Sequence, residues 1–262
     1  MNFSICLEMI FPGLPFGERM DRVKQAGFSA VEFWAWRDKD LGAFARRVAA
    51  GMEVTTFSGH RKGSLIYPQD EEIFFAEVRE AVEAARRLRC PTLMILTQEL
   101  GEGGRVQAPW PVPAQWRETA IERLKKLGPI GEENGVTFLL EPLNDRLDHF
   151  NYVLTASAQA VELIRAVAHP RVRLLYDLYH LEMMGEDVKK RVLDNLEWIG
   201  YLHAADVPGR HEPGTGKIPF PEIFQEVRRA GWKGTVGFEY APAGETGASL
   251  ERIARLRDAV GV

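Results

Sequence analysis

The chain has 262 residues, of which 45% are hydrophobic and 27% are charged, and its formal net charge is -4 at pH 7. This composition is ordinary for a soluble globular protein, and the negative balance excludes a general electrostatic attraction to nucleic acid or to an anionic membrane. Two cysteines, Cys6 and Cys90, are too few for a disulfide framework, so a reducing cytoplasm is the expected compartment.

The N-terminal stretch MNFSICLEMIFPGLPF is apolar, but it lacks a basic segment and contains Glu8. It therefore predicts a first strand rather than a signal peptide. No uninterrupted apolar run in the sequence reaches the length that a membrane span needs.

Short apolar stretches alternate with longer amphipathic ones along the chain. The predicted strands are FSICLEM (3–9), AVEFWAW (30–36), MEVTTFSGH (52–60), TLMILTQ (92–98), VTFLLEPLN (136–144), VRLLYDLYH (172–180), YLHAAD (201–206) and GTVGFEYAP (234–242). One predicted helix follows each strand, over residues 17–27, 40–50, 71–89, 116–134, 157–168, 186–199, 220–231 and 249–260. Gly128 and Pro129 predict a kink or a break in the fourth helix.

The predicted strands are almost continuously apolar, which is typical of parallel strands covered on both faces. Eight strand–helix units in this length predict an α/β fold, a (β/α)8 TIM barrel, with residues 1–262 as a single domain. The alternative is a doubly wound open sheet, but no Gly-rich phosphate turn follows the first strand. The stretch GEGGRV (101–106) is not followed promptly by a helix, so it is not predicted to bind a nucleotide.

Ionisable residues end the last four predicted strands. These residues are Glu141, Asp177, His203 and Glu239, each about one strand–helix unit from the next. In a TIM barrel the functional site lies at the carboxyl ends of the strands, so the four side chains are expected to converge. A carboxylate at such a position is costly unless it is hydrogen-bonded, ion-paired or bound to a cation.

Three carboxylates and one imidazole form a hard, oxygen-rich ligand set. Such a set favours Mg²⁺ or Mn²⁺, with Zn²⁺ and Co²⁺ as further possibilities. The alternative is that each acid pairs with a buried Arg or Lys. Because four such residues occur in series, the metal site is the favoured interpretation.

Other polar residues lie close to these strand ends. His180 follows Asp177 by three residues and is placed to reach a substrate oxygen, and Arg210 offers a planar fork for a carboxylate or an enediolate. A role in the site and a structural role remain equal alternatives for three residues near strand ends: His60, Glu8 and Glu32. Both roles also remain open for two residues of the loop that contains Arg210: His211 and Glu212.

Three aromatic residues near strand ends are candidates for the walls of a pocket or for the core: Phe11, Trp34 and Trp36. Asn144 and Asp145 are predicted as turn residues after the fifth strand. His149 lies in a polar loop and is a weaker candidate for the site.

Four stretches together resemble the hydroxypyruvate isomerase family of the xylose-isomerase-like TIM-barrel superfamily. They are LLEPLN (139–144), YDLYH (176–180), HAADVPGRHEPGTGKI (203–218) and GFEY (237–240). The resemblance implies that Glu141, Asp177, His203 and Glu239 bind the metal ion. It also implies that Glu141 and Glu239 are the acid/base pair and that His180 and Arg210 contact substrate.

The implied activity is an aldose–ketose type isomerisation that interconverts hydroxypyruvate and tartronate semialdehyde through a cis-enediolate, with a divalent metal ion. Alternatives are a related sugar or 2-oxo-tetronate isomerase or 3-epimerase, a metal-dependent endonuclease, and a non-catalytic sugar- or acid-binding protein. The expected partner is a small molecule rather than nucleic acid or a membrane, and the sequence permits a homo-oligomer.

Overall fold

The computed structural model describes residues 1–107 and 111–262, which contain nine parallel strands. The strands are β1 (Asn2–Cys6), β2 (Ala30–Glu32), β3 (Glu53–Val54), β4 (Thr56–Ser58), β5 (Thr92–Ile95), β6 (Thr137–Leu140), β7 (Val172–Asp177), β8 (Ile199–His203) and β9 (Thr235–Phe238). They form one sheet in the order β3-β2-β1-β9-β8-β7-β6-β5-β4.

The two ends of this order, β3 and β4, are halves of one stretch separated by Thr55. The sheet therefore closes on itself as a barrel with eight strand positions, as the sequence predicted. Thr55 stays connected to the sheet, because its backbone N–H donates to the Val31 carbonyl and its own carbonyl accepts from the Thr92 hydroxyl. The predicted TIM barrel is confirmed.

Within the same residues, nine α-helices surround the barrel. They are α1 (Phe16–Gln25), α2 (Leu41–Ala49), α3 (Glu71–Leu88), α4 (Trp116–Asn134), α5 (Ser157–Val167), α6 (Leu178–Met184), α7 (Val188–Asp194), α8 (Phe220–Arg229) and α9 (Thr246–Val260). Short 3₁₀ turns lie at Pro68–Asp70 and Glu102–Gly104. In the part of the chain that the structure describes, no helix is long and apolar enough to cross a membrane.

Side-chain capping explains three of the helix starts, including that of α7, where Asp187 accepts from the Lys190 N–H. The Asp40 side chain accepts a hydrogen bond from the Ala43 N–H at the start of α2, and the Asp177 side chain accepts one from the His180 N–H at the start of α6. Helix α6 was not predicted, because VRLLYDLYH was interpreted as strand to its end. Asp177 instead ends the strand and begins the helix.

A kink or a break was predicted in the fourth helix, and the break is wrong, since α4 continues through Pro129. Gly128 is required there by packing and not by flexibility: a Cβ atom on it would lie 2.5 Å from Cγ of His169. Gly131 has a similar role, because its Cβ would lie 2.5 Å from the Val136 carbonyl oxygen. Both glycines let a neighbouring segment approach the helix closely.

A layer of side chains fills the barrel beneath its carboxyl-terminal mouth: Met94, Leu139, Leu175 and Tyr201. Residues two positions apart in a strand share a face. The side chains two positions after Leu139, Leu175 and Tyr201 therefore also point into the barrel. Those residues are Glu141, Asp177 and His203. The apolar layer therefore forms the base of the site, and the strand period places the polar residues directly above it.

Candidate active site

Four polar side chains converge at the mouth of the barrel. Glu141 follows β6, Asp177 ends β7, His203 ends β8 and Glu239 follows β9. These strands are adjacent in the barrel, and all four side chains are buried. One ligand atom from each residue lies within 4.8 Å of the others. The structure thus places all four predicted strand-end residues in one cluster.

His203 lies at the centre of this cluster. Its Nδ1 atom is 3.2 Å from Glu141 Oε1, 3.7 Å from Asp177 Oδ2 and 3.6 Å from Glu239 Oε2. Its Nε2 atom is 3.1 Å from Oε1 of Glu32, at the end of β2. Burial disfavours the imidazolium, but the surrounding carboxylates, with Glu32 foremost, hold the pKa of His203 well above its usual value.

The Glu32 side chain has room inside the barrel because β9 carries a glycine, Gly237, beside it. A Cβ atom on Gly237 would lie 2.1 Å from Oε2 of Glu32. The same oxygen accepts a hydrogen bond of 2.5 Å from the Tyr201 hydroxyl. The sequence left open whether Glu32 belongs to the site or has a structural role. The structure places Glu32 beside the cluster, in contact with His203.

The two glutamates of the cluster differ in their electrostatic surroundings. Burial raises the pKa of Glu141 to about 7, against a usual value of 4.5. Burial acts in the same direction on Glu239, but the Arg210 and His203 charges outweigh it and lower the pKa of Glu239. Two carboxyl groups in one site with different proton affinities are typical of acid/base chemistry.

Glu239 is held from both sides. Arg210 Nη2 donates a hydrogen bond of 2.7 Å to Oε2 of Glu239, and the Trp34 indole N–H donates to Oε1. Both donors stabilise the ionised form of the carboxylate. The arrangement fixes Glu239 in position and leaves it ready to accept a proton.

The loop that carries Arg210 is organised by one buried carboxylate. Asp206 accepts hydrogen bonds from the backbone N–H groups of Val207, Gly214, Gly216 and Ile218, at 2.8 to 3.0 Å. A loop with so many internal bonds to one side chain loses little further entropy when substrate binds. Arg210 therefore reaches the site from a preorganised segment.

The tautomer of His180 follows from its neighbours. Nδ1 lies 2.7 Å from Nδ2 of Asn144 and 3.3 Å from the Asn144 backbone nitrogen. The amide of Asn144 has one orientation, because its Oδ1 accepts from the N–H groups of Leu147 and Asp148. Nδ1 of His180 therefore faces two donors and carries no proton, so the proton of the neutral ring is on Nε2.

This assignment defines a place for an anionic oxygen. Burial lowers the pKa of His180 to about 3, which keeps the ring neutral. Nε2 of His180 and Nη2 of Arg210 are 3.3 Å apart, and both carry hydrogens. Nη2 gives one of its two hydrogens to Glu239, so its second hydrogen and the Nε2–H of His180 are left for an acceptor that both can reach. A negatively charged substrate oxygen is such an acceptor.

Replacing Asn144 with Asp tests the tautomer directly. The substitution is nearly isosteric, and it puts a carboxylate oxygen where the amide now donates to Nδ1 of His180. We expect Nδ1 to gain a proton, because an acceptor then faces it. Nitrogen-15 NMR of labelled histidine distinguishes the two ring nitrogens. A spectrum in which Nε2 remains the only protonated nitrogen would contradict the assignment.

A cavity of about 370 Å³ opens above the cluster. Glu141 and Glu239 form part of its lining, and both oxygen-binding candidates, His180 and Arg210, lie on its wall. The wall also contains the 101–104 segment, through its three glycines. This volume accommodates a small sugar or acid.

His60 is not among the residues that line this cavity. Its ring lies 3.0 Å from the Gly63 carbonyl through Nδ1, and its Nε2 accepts from the Leu96 N–H at 3.1 Å. Both nitrogens are thus used by backbone groups. The structure places His60 as a link between two loops, which is the structural alternative for this residue.

His60 predicts an acid sensitivity of folding. Burial lowers its pKa from 6.5 to about 4, so the native state binds fewer protons than the unfolded state in this range. The contribution of neutral His60 to the free energy of unfolding is fully present above pH 6.5. It is lost as the pH falls toward 4, which lowers the free energy of unfolding by roughly 3 kcal/mol. In urea denaturation, the stability advantage of wild type over His60→Asn should shrink over that window. An advantage that does not change with pH would contradict this.

The remaining predicted residues have structural partners. His211 Nδ1 lies 2.7 Å from the Ala241 carbonyl, and Glu212 accepts from the Ala243 N–H at 3.0 Å. These contacts brace the loop against the segment after β9.

Glu8 forms an ion pair of 2.9 Å with Lys39 and accepts from the Trp34 N–H at 3.0 Å. Of the three candidate aromatics, Trp34 lines the cavity and Trp36 is buried in the core, while Phe11 packs against the core.

Several residues in or beside the cavity were missed by sequence reasoning, and the first of them, Asn144, contacts His180 without lining the cavity itself. Asn144 was interpreted as a turn residue, although its place three residues after Glu141 was a usable signal. His149 was ranked as weak, yet it lines the cavity with Asp148. Arg61 was not singled out, because it lies three residues beyond the end of β4 in a loop.

The barrel and its ring of strand-end carboxylates define a class of protein. Residues 20–258 match the family model described as "Xylose isomerase-like TIM barrel". The chain belongs to this family.

Two curated relatives and one solved structure are similar to this chain over nearly its full length. A putative hydroxypyruvate isomerase of Streptomyces coelicolor is 31% identical over 94% of this chain and 93% of its own length. The hydroxypyruvate isomerase of Escherichia coli is 28% identical over 95% of this chain and 97% of its own. A crystal structure described as an AP endonuclease of family 2 from Brucella melitensis has a TM-score of 0.87 and 29% identity, covering 97% of this chain and 98% of its own.

Proposed function

We propose that the protein is an isomerase that interconverts hydroxypyruvate and tartronate semialdehyde through a cis-enediolate. The observation that carries this proposal is the buried cluster of Glu141, Asp177, His203 and Glu239 beside the cavity. The names of the Streptomyces coelicolor and Escherichia coli relatives support the choice of substrate.

The cluster suits a divalent metal ion, which we assign to these four residues. Three buried carboxylates and one imidazole present oxygen and nitrogen atoms within 4.8 Å of one another, and the raised pKa of Glu141 reflects negative charge and burial that a cation would relieve. The donor set favours Mg²⁺ or Mn²⁺, with Zn²⁺ and Co²⁺ as alternatives. When bound, the ion stabilises negative charge on substrate oxygens as a Lewis acid.

The side chains of the cavity supply the proton transfers. Glu239, which Arg210 keeps ionised, removes a proton from C3 of hydroxypyruvate. The electron pair of that C–H bond forms the C2–C3 double bond of the enediolate, and the negative charge moves to the C2 oxygen. The proton of the C3 hydroxyl passes to the C2 oxygen, which moves the negative charge to the C3 oxygen. Glu239 itself or Glu141 then returns a proton to C2: the electron pair of the C2–C3 double bond takes up that proton, and an electron pair of the C3 oxygen forms the aldehyde carbonyl.

Two donors stabilise the intermediate. Nε2–H of His180 and the guanidinium of Arg210 converge at 3.3 Å and are placed to share one enediolate oxygen. Since charge on that oxygen develops only as the proton leaves, these hydrogen bonds strengthen toward the transition state.

A related sugar or 2-oxo-tetronate isomerase or 3-epimerase is the alternative within the same chemistry. A 2-oxo-tetronate isomerase of Pectobacterium atrosepticum is 26% identical over 94% of this chain. Two carboxyl groups beside one planar intermediate also permit the proton to return to the opposite face of the same carbon. Substrate placement therefore decides between the two outcomes.

An endonuclease is the second candidate, because the Brucella melitensis structure carries that description. Phosphodiester cleavage needs a basic surface for the DNA backbone. The net charge of -4 does not favour such a surface, and the cavity lining includes the carboxylates Glu141, Asp148 and Glu239. The charge of the site therefore favours the isomerase.

A substrate panel tests the proposal. Turnover of hydroxypyruvate, 2-oxo-tetronate, a ketohexose and abasic-site DNA is measured with the same Mg²⁺-loaded protein. We expect the highest kcat/KM with hydroxypyruvate and no DNA cleavage. A higher kcat/KM with the ketohexose or cleavage of the DNA would contradict the proposal, and binding without turnover would indicate a non-catalytic protein.

We further propose that residues 1–262 act as one domain in the cytoplasm. The free, buried thiols of Cys6 and Cys90 support a reducing compartment. The partner we propose is the small-molecule substrate, and size-exclusion chromatography with light scattering tests whether the chain forms a homo-oligomer.

A further inference from the structure

The cavity wall contains two arginines in very different states. Arg210 is paired, with its Nη2 2.7 Å from Glu239 Oε2 and its Nη1 4.0 Å from Asp148 Oδ1. Arg61 also lines the cavity. Within residues 1–107 and 111–262, its guanidinium has neither an ion pair nor a hydrogen bond. The site thus contains one cation whose charge is available to a ligand.

The backbone around Arg61 is nevertheless firmly held. The Arg61 N–H donates to Oε2 of Glu77 at 3.0 Å, and the Gly63 N–H donates to Oε2 of Glu99 at 2.8 Å. Arg123, buried in α4, donates to the Ser64 carbonyl at 2.6 Å. A rigid backbone presents the side chain of Arg61 at a constant place.

The acid that contacts the Arg61 backbone, Glu77, is already committed to other partners. Oε1 of Glu77 forms an ion pair of 2.5 Å with Arg37, and its Oε2 accepts from the backbone of Arg61. Arg61 is therefore not simply the missing half of an internal ion pair. Arg61 thus lines the cavity with no internal partner for its charge among the described residues.

Arg61 also lies across the barrel from the carboxylate cluster. It follows β4, which is four positions from β8 in the closed order of eight strand positions. His203 ends β8, so the two residues lie on opposite sides of the mouth. A substrate whose reacting carbons lie over the cluster directs its other end toward Arg61.

We infer that Arg61 binds the carboxylate of the substrate. This inference rests on the proposed function and names the substrate class as short 2-oxo or 2-hydroxy acids, as opposed to neutral sugars. A substrate carboxylate would otherwise meet the negative charges of Glu141, Asp148 and Glu239. The planar guanidinium binds a carboxylate through two parallel hydrogen bonds and supplies the compensating charge.

Calorimetric titration with D-glycerate, an unreactive acid of the same length, tests this inference. We expect Arg61→Gln to weaken glycerate binding about 10- to 100-fold, the usual cost of losing a charged hydrogen-bond pair. Arg61→Lys should restore part of the affinity, because it keeps the charge without the fork. The matched control is Lys62→Gln, which removes the same charge from an exposed neighbour and should leave the affinity unchanged.

Kinetics separate the role of Arg61 in binding from a general disturbance of the site. Dihydroxyacetone has the skeleton of hydroxypyruvate with a hydroxymethyl group in place of the carboxylate. We expect Arg61→Gln to raise the KM for hydroxypyruvate at least tenfold and to change kcat/KM for dihydroxyacetone less than threefold. Equal losses with both substrates would overturn the assignment.

The carboxylate site at Arg61 and the proposed reaction can be refuted independently. If wild type isomerises hydroxypyruvate while Arg61→Gln binds glycerate within threefold of wild type, the carboxylate assignment is overturned and the proposed function stands. If glycerate binding depends on Arg61 but hydroxypyruvate is not turned over, the reaction is wrong and the carboxylate site stands. Circular dichroism of each variant verifies that the barrel is folded.

Discussion

Replacing Glu239 with Gln should reduce turnover of hydroxypyruvate roughly a thousandfold or more, because a general base contributes about 100- to 10,000-fold and an amide cannot accept the proton. The change is nearly isosteric, and the carboxamide oxygen can still accept from Arg210 or Trp34, the present partners of Glu239. The variant should therefore fold normally, and the steady-state rate is the quantity to measure.

The control for this variant is Glu251→Gln, the same change on the exposed surface of α9. It should retain the wild-type rate. If Glu239→Gln kept more than a third of wild-type activity, Glu239 would not be the base, and the proton transfers would have to be assigned to Glu141 alone.

Removing divalent ions should cause the second large effect. We expect dialysis against a chelator to lower turnover by roughly a hundredfold or more, since Lewis-acid stabilisation is worth several kcal/mol. Addition of Mg²⁺ or Mn²⁺ should restore activity. Because the ion is expected to bind the native state and not the unfolded state, the melting temperature should also rise as the ion is added.

His203 provides the test of where that ion binds. Its Nδ1 lies within 3.7 Å of an oxygen from each of the three carboxylates, so His203→Ala should weaken Mn²⁺ binding by at least about tenfold. The matched control is His169→Ala, a histidine just beyond the end of α5 that lies 3.6 Å from the exposed Glu132 of α4. Full activity after complete chelation would contradict the metal assignment.

The barrel was predictable because parallel strands and their helices have a strong signature in the sequence. LLYDLYH shows both the strength and the limit of that signature: the apolar run identified β7, but the end of the strand was set by Asp177, which caps α6. Likewise, Gly128 and Pro129 look like a helix break in isolation. In the structure Gly128 leaves room for the side chain of His169, which packs closely against the helix. The helix continues through Gly128 and Pro129.

The cluster was predictable for a related reason. Glu141, Asp177, His203 and Glu239 interrupt apolar strands at equivalent positions, and burying a charge there requires an explanation. Asn144, Trp34 and Arg61 interrupt no apolar strand, and only the places of Asn144 and Trp34 near strand ends offered a weaker signal. Their roles depend on contacts across the barrel, such as the bond from Trp34 to Glu239 between residues 205 positions apart.

His60 shows why two alternatives stayed open for a histidine at a strand end. A histidine at the end of an apolar strand has the same sequence signature as His203, but its two nitrogens are used by the backbone of Gly63 and Leu96. Only the surroundings of the ring distinguish a structural histidine from one in the site.

Deuterium incorporation is the measurement that tests the central proposal most directly. Hydroxypyruvate is incubated with the Mg²⁺-loaded protein in D₂O, and substrate and product are examined by mass spectrometry against a sample without protein. The proposal predicts deuterium at C3 of hydroxypyruvate and at C2 of tartronate semialdehyde, and neither with Glu239→Gln. Bound hydroxypyruvate that gains no deuterium above the protein-free sample would contradict it.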